Sequence, residues 1–149
     1  MKKLNNTMMG MLYFCLTMGV LFFCSLYWVL PMILFDKSAT VADPRYCIEL
    51  ALWYAGAIGA LYILALLIRM MKTLPADPFV EQNVICLRRM GYAALGMAGL
   101  AFIAAAVYYF RFMIIVLGMV LLFCALLSLI LGNVFKKAVE YRDNDKLVI

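Results

Sequence analysis

The fold of this chain is decided by residues 90–135, MGYAALGMAGLAFIAAAVYYFRFMIIVLGMVLLFCALLSLILGNVF. Arg111 is the single charge in this stretch. A helix needs about 20 apolar residues to cross a hydrocarbon core about 30 Å thick. The stretch is therefore long enough for two spans, Met90–Phe110 and Phe112–Phe135. We predict a tight hairpin at Arg111, because one helix over residues 78–137 would be about 90 Å long, far more than a bilayer needs.

Two further apolar runs, Met8–Leu34 and Cys47–Ile68, precede this stretch. With 68% apolar and 14% charged residues, the chain lies outside the range of soluble globular domains. Helices bond their own backbone groups within the bilayer, and no stretch alternates as a barrel strand would. The sequence predicts an all-α integral membrane protein with four transmembrane helices and a single domain, residues 1–149. The first run is too long for a signal-peptide core, so we expect a retained helix that also serves as the targeting signal.

The basic residues predict the orientation of the four spans. Ten of the thirteen Lys and Arg residues precede the first span, separate the second from the third, or follow the fourth: Lys2, Lys3, Arg69, Lys72, Arg88, Arg89, Lys136, Lys137, Arg142 and Lys146. Positive charge stays on the cytoplasmic side. We therefore expect an N-in/C-in antiparallel bundle in the bacterial cytoplasmic (inner) membrane. The expected cytoplasmic segments are the loop 69–89 and the tail 136–149, and aromatic residues such as Tyr27, Trp28 and Trp53 mark the outer interface.

Small residues recur along the second and third spans. Small side chains let helix backbones approach closely in a bilayer. The predicted helix-packing residues are Ala51, Ala55, Gly59, Gly91, Ala94, Ala98, Ala101 and Ala105. We expect the tightest contacts between spans two and three, and expect Gly59→Leu or Ala98→Leu to weaken the fold. The same residues are compatible with a homo-oligomer, and the sequence leaves both arrangements open.

The segment between spans two and three predicts a helix start. Asp77 is a suitable N-cap for a helix that begins at Pro78. The third helix would then extend into the cytoplasm for about three turns, either as an amphipathic lead-in at the headgroups or as a docking surface. The tail, residues 140–149, is predicted to be a frayed helix end, with a short strand as the alternative.

The sequence contains little that supports catalysis. It has no histidine, which removes the commonest general base and metal ligand. The spans hold no Asp, Glu, Lys or Arg at membrane depth, where such residues mark ion and proton pathways. Methionine thioethers with Cys15 and Cys24 are suitable ligands for Cu(I), but their spacing favours a simple packing role. We expect no enzyme activity, no cofactor and no metal.

Two segments carry a family resemblance. Asp77-Pro78-Phe79-Val80-x-x-Asn83-x-x-x-Leu87-Arg88-Arg89 and the tail Asp143-Asn144-Asp145-x-Leu147-Val148-Ile149, together with four spans, resemble an uncharacterised family of bacterial membrane proteins, domain of unknown function 2975. Members typically have Asn where Asp77 stands, Glu-Asn where Gln82-Asn83 stands and Thr where Val148 stands. The family has no established activity. Members are often encoded beside a small helix-turn-helix regulator, so the resemblance implies such a partner on the cytoplasmic side.

These observations lead to two functional hypotheses. The first is a non-enzymatic membrane protein that signals through, or sequesters, a small cytosolic transcriptional regulator, without binding nucleic acid itself. The expected partner-binding residues are Asp77, Pro78, Phe79, Asn83, Arg88, Arg89, Asp145, Leu147 and Ile149. The alternative is a small oligomeric pore or transporter component, lined by Thr17, Ser25, Ser128 and tyrosines. Membrane lipids are expected partners in either case.

Overall fold

The computed structural model of the protein describes residues 2–34, 44–73, 80–107 and 112–147. These residues form a four-helix bundle with helices α1 (Lys2–Leu34), α2 (Pro44–Thr73), α3 (Glu81–Val107) and α4 (Phe112–Leu147). Each helix is long and apolar enough to cross a membrane. The all-α prediction is therefore confirmed for these residues.

The observed helices extend beyond several predicted span ends. α2 continues to Thr73, past the predicted end at Ile68, whereas the helical residues from Glu81 agree with the predicted extension of the third helix. The proposed cap and helix start at Asp77 and Pro78 lie outside the described residues. α4 continues through residues 140–147, so the strand alternative for this part of the tail is wrong. Polar residues continue a helix readily once packing holds it in place.

Between the described residues, the helices pack in chain order. α1 packs against α2, α2 against α3, and α3 against α4, whereas α1 makes no direct backbone approach to α3 or α4. The most extensive contact joins α3 and α4. The prediction that the tightest contacts join α2 and α3 is therefore wrong. The main contact joins α3 and α4. The bundle is consequently open between its first and last helices.

Small residues seven positions apart explain the α3–α4 contact. Gly91, Ala98 and Ala105 are buried on α3, and Gly118, Ala125 and Gly132 are buried on α4. A Cβ atom at Gly118 would lie 3.1 Å from the Phe102 ring, and one at Gly132 would lie 3.2 Å from Arg88 Cγ. These pairs show that the helices run antiparallel. A seven-residue repeat keeps one face of each helix toward the other along a left-handed supercoil.

The other helix contacts are more local. Gly19 of α1 lies against Leu61 of α2, where an added Cβ would be 3.1 Å from Leu61 Cδ2. Nearby, Phe23 and Tyr54 meet edge to face with ring centroids 5.0 Å apart, a geometry that aromatic quadrupoles favour. Gly59 faces Met97 of α3. α1 is therefore held to the rest of the bundle through α2.

Candidate functional site

The bundle has a charged end, defined as the last turn of α2, the start of α3 and the last turns of α4 (residues 69–73, 80–89 and 133–147). It combines exposed charges with an interior that is unusually polar for this chain. The exposed basic residues here are Arg69, Lys72, Arg88, Arg89, Lys136 and Lys137. α1 reaches the same end, because Lys72 Nζ lies 5.8 Å from the centroid of the Tyr13 ring, within cation–π range.

Asn83 lies at the centre of the charged end. Its side chain is 1% exposed, and its backbone N–H donates to the Val80 carbonyl at 2.9 Å in the first turn of α3. The Thr73 hydroxyl lies within hydrogen-bond distance of both Asn83 Oδ1 and the Met70 carbonyl. A hydroxyl carries one proton and donates to one acceptor at a time. The contact links the end of α2 to the start of α3.

Two further polar contacts hold the same region. With the Gln82 amide oriented so that its oxygen faces α2, Oε1 accepts hydrogen bonds from Arg69 Nε and Nη2, each at 3.0 Å. On the other side of α3, the Ser128 hydroxyl donates to the Leu87 carbonyl at 2.8 Å. The start of α3 is therefore fixed between α2 and α4. Its neighbours bury Asn83, Val84 and Leu87, and the extension of the third helix into the cytoplasm stays a prediction.

This geometry separates the predicted partner-binding residues into three groups. Asn83 is internal and links two helices. Arg88, Arg89 and Asp145 are exposed, as a docking role requires. Asp77, Pro78, Phe79 and Ile149 lie outside the described residues, and Leu147 ends α4. A small polar cleft of about 250 Å³ lies beside Arg69, Glu81, Gln82 and Arg89.

The last turns of α4 present a surface that the sequence interpretation missed. Phe135, Ala138, Val139 and Arg142 share one half-buried face, whereas Lys136, Lys137, Glu140 and Tyr141 are exposed. Tyr141 is 73% exposed. Lys136 Nζ and Glu140 Oε1 are 3.6 Å apart on this surface. The i, i+3, i+4, i+7 spacing of residues 135, 138, 139 and 142 is the signal that predicts a packed helix rather than a frayed tail.

A second candidate site is an apolar cleft between the helices. Its volume is about 590 Å³. Residues of all four helices line it, and among those described they are Cys15, Gly19, Phe22, Leu52, Trp53, Gly56, Ala57, Ala60, Leu61, Leu64, Met97, Leu100, Ala101, Ala104, Ile114, Leu117 and Leu121. Apart from the Cys15 thiol and the Trp53 indole N–H, these side chains are hydrocarbon or thioether. We refer to this site as the cleft.

The cleft accounts for part of the predicted helix-packing set. Ala101 lines it, and Ala51 is exposed. Ala55 and Gly59 are half-buried, whereas Gly91, Ala94, Ala98 and Ala105 are buried. The small residues of α2 that line the cleft are Gly56, Ala57 and Ala60, which are not in the predicted set. The small residues of α3 serve chiefly the contact with α4.

The three hydroxyl groups considered as the lining of a pore each donate a hydrogen bond to a backbone carbonyl. Thr17 and Ser25 donate to the Phe14 and Phe22 carbonyls of their own helix at 2.8 and 2.9 Å, and Ser128 donates to α3. Hydroxyls in membrane-spanning helices commonly bond to carbonyls of their own or a neighbouring helix. None of the three lines the cleft. A pore stays a prediction that requires several copies of the chain.

The residues that the structure describes contain no group of three or more His, Cys, Asp or Glu placed to hold a metal ion. No family model, curated protein or solved structure matches this chain. The resemblance to the domain of unknown function 2975 family therefore stays a prediction based on the two sequence segments.

Proposed function

We propose that this protein is a non-enzymatic, multi-pass protein of the bacterial cytoplasmic membrane whose charged end binds a small cytosolic helix-turn-helix regulator. The observation that carries the proposal is Tyr141, 73% exposed on a helical extension that is packed on its other face. Exposed aromatic residues on rigid elements are typical binding hot spots. The extension is long enough to leave the membrane, since the 36 residues of α4 span about 54 Å against a hydrocarbon core of about 30 Å.

The charge distribution supports an orientation in which the charged end lies on the cytoplasmic side. The ends of α2 and of the apolar part of α4, and the start of α3, carry exposed Arg and Lys side chains, as expected for the cytoplasmic face. Beyond this basic ring, the tip of α4 (residues 140–147) has a net charge of −1, because Glu140, Asp143 and Asp145 outnumber Arg142 and Lys146. A regulator that binds DNA has a basic surface for phosphates. The acidic tip is complementary to such a surface, so membrane binding and DNA binding would compete.

The orientation is tested with the exposed thiol of Cys47, near the start of α2. We expect a membrane-impermeant maleimide to label Cys47 in intact spheroplasts. Asn144→Cys in a Cys47→Ser background provides the matched control, because residue 144 is exposed at the charged end. It should react in inverted vesicles and be protected in spheroplasts. The reverse pattern would place the charged end outside the cell and overturn the proposal.

The partner surface is tested by Tyr141→Ala. The ligand is the helix-turn-helix regulator encoded beside the gene of this protein. We expect the affinity of the detergent-extracted protein for this regulator to fall about tenfold, equivalent to about 1.4 kcal/mol, because an exposed aromatic anchor is lost. Tyr92→Ala is the control, since Tyr92 is also exposed but lies on the apolar part of α3. It should bind as the unmodified protein does.

Two further measurements check the electrostatic part of the proposal. Reversing the charge of Glu140, Asp143 and Asp145 to lysine should weaken binding, and added salt should weaken binding of the unmodified protein, because exposed charges are screened. Purification of the protein without the regulator, whatever the regulator's expression level, would refute the function proposed here.

A further inference from the structure

We propose that the cleft holds a single acyl chain of a membrane lipid. The inference depends on the membrane location that is part of the proposed function, but not on the regulator. The cleft lies where α1 and α4 fail to meet, so these helices form its two walls, and α2 and α3 form its floor. The floor contains the small residues Gly56 and Ala60 of α2 and Ala101 and Ala104 of α3. The missing side-chain volume creates the space.

The dimensions of the cleft match one leaflet. Its lining on α2 runs from Leu52 to Leu64, a distance of about 18 Å at the helical rise. Half of the hydrocarbon core of a bilayer is about 15 Å thick. On α2 the lining begins two residues into the apolar span Leu50–Thr73 and stops at Leu64, nine residues before the span ends at the charged end. A chain that enters from one leaflet would therefore end close to where the cleft ends.

The chemistry of the lining selects hydrocarbon. A bound water needs two to four polar partners, and the described side chains of the cleft offer the Trp53 indole and the Cys15 thiol. Its volume, about 590 Å³, lies within the range of small-ligand sites, roughly 300–1,000 Å³. Leaving such a space empty forfeits dispersion contacts along its whole surface. An acyl chain restores these contacts without requiring a polar partner.

The partial depth of the cleft also argues against a helix from a second copy. A membrane-spanning helix crosses both leaflets, about 30 Å, whereas the cleft extends over about 18 Å of α2. Such a helix would match the cleft over little more than half of its length. An acyl chain of one leaflet matches it throughout.

The two tryptophans allow a direct test. Trp53 lines the cleft, whereas Trp28 is 79% exposed on α1 and is absent from the lining. Trp28→Phe and Trp53→Phe each leave one emitter. Each variant is reconstituted in phosphatidylethanolamine–phosphatidylglycerol vesicles that contain increasing fractions of phosphatidylcholine brominated on its acyl chains. We expect quenching of Trp53 to saturate at a bromolipid fraction about tenfold lower than quenching of Trp28, which corresponds to a preference of about 1.4 kcal/mol for the cleft.

Cleft-filling variants give the control. A Cβ atom at Gly56 meets no atom within 4 Å, so Gly56→Leu places its side chain in the cleft without a clash at Cβ. The saturable quenching of Trp53 should be lost. Gly99→Leu is matched, because Gly99 is also open, is exposed on α3 and is absent from the lining. It should leave the saturable quenching intact, and Ala104→Phe should abolish it as Gly56→Leu does.

Each other outcome overturns the proposal in a distinguishable way. Equal, unsaturable quenching of Trp53 and Trp28 shows that the cleft has no preference for lipid. Protection of Trp53 at every bromolipid fraction, together with a cross-linked dimer, shows that a second copy occupies the cleft. Absence of quenching for both tryptophans refutes the membrane location and, with it, the cleft proposal.

Discussion

Replacing Gly91 by leucine is expected to lower the free energy of unfolding by about 3 kcal/mol, the upper part of the usual range for overpacking. A Cβ atom at this position would lie 2.7 Å from Leu129 Cδ2 and Cγ and 3.3 Å from the Ala125 carbonyl oxygen. The obstacle includes backbone, so α3 and α4 must separate to admit the larger side chain. The measurement is thermal or denaturant unfolding in detergent, monitored by circular dichroism.

Gly99→Leu is the matched control for this substitution. Gly99 lies eight residues further along α3, and an added Cβ there meets nothing within 4 Å. The control changes the same residue type on the same helix, including its helix propensity. It should leave unfolding unchanged or slightly more difficult. Equal destabilisation by the two variants would show that the α3–α4 contact does not limit the stability of the bundle.

Gly59 and Gly91 both belong to the predicted helix-packing set, but the structure predicts that leucine at these two positions destabilises the protein to different extents. At Gly59 the obstacle is the flexible side chain of Met97, with Sδ 2.7 Å from an added Cβ. Met97 also lines the cleft, so it has open space into which to move. We therefore expect Gly59→Leu to destabilise the protein less than Gly91→Leu does.

The second large effect is expected for Asn83→Ala, which should lower the free energy of unfolding by about 2 kcal/mol. The substitution leaves a cavity at a side chain that is 1% exposed and removes its contact with Thr73. Asn133→Ala is the control, because Asn133 is exposed on α4. It should unfold as the unmodified protein does, and a similar loss in both variants would contradict a specific role of Asn83.

A double-mutant cycle separates the hydrogen bond from the cavity. Thr73→Val alone should cost about 1 kcal/mol, whereas in the Asn83→Ala background it should cost much less, because its interhelical partner is already absent. The coupling energy measures the contact between the end of α2 and the start of α3. Strictly additive losses would show that Thr73 and Asn83 stabilise the bundle independently.

The two proposed sites, the charged end and the cleft, differ in how far the sequence predicted them. Arg88, Arg89 and Asp145 were predicted as partner-binding residues and are exposed at the charged end. Asn83 belongs to the same predicted set because it is part of the specific segment from Asp77 to Arg89. It is buried because Thr73, ten residues earlier and on another helix, provides a polar neighbour. Tyr141 was missed because the tail was interpreted as a frayed end.

The cleft had no sequence signal of its own. Gly56 and Ala60 have the four-residue spacing of a helix-packing motif, and the structure places them on the floor of an open space. Whether a small residue meets a helix or a gap depends on where the neighbouring helix runs. Each helix is apolar on most of its faces, so an amphipathic pattern does not identify the packed face.

By itself, the sequence determined the number of helices and their approximate ends, because length and hydropathy decide whether a helix is able to cross a membrane. The tertiary structure alone decided which helices are neighbours, that α3 and α4 form the main contact, and that α1 and α4 leave a cleft between them. The physical reason is that lipid chains and helix surfaces are equally apolar, so composition does not distinguish a side chain that faces lipid from one that faces a helix.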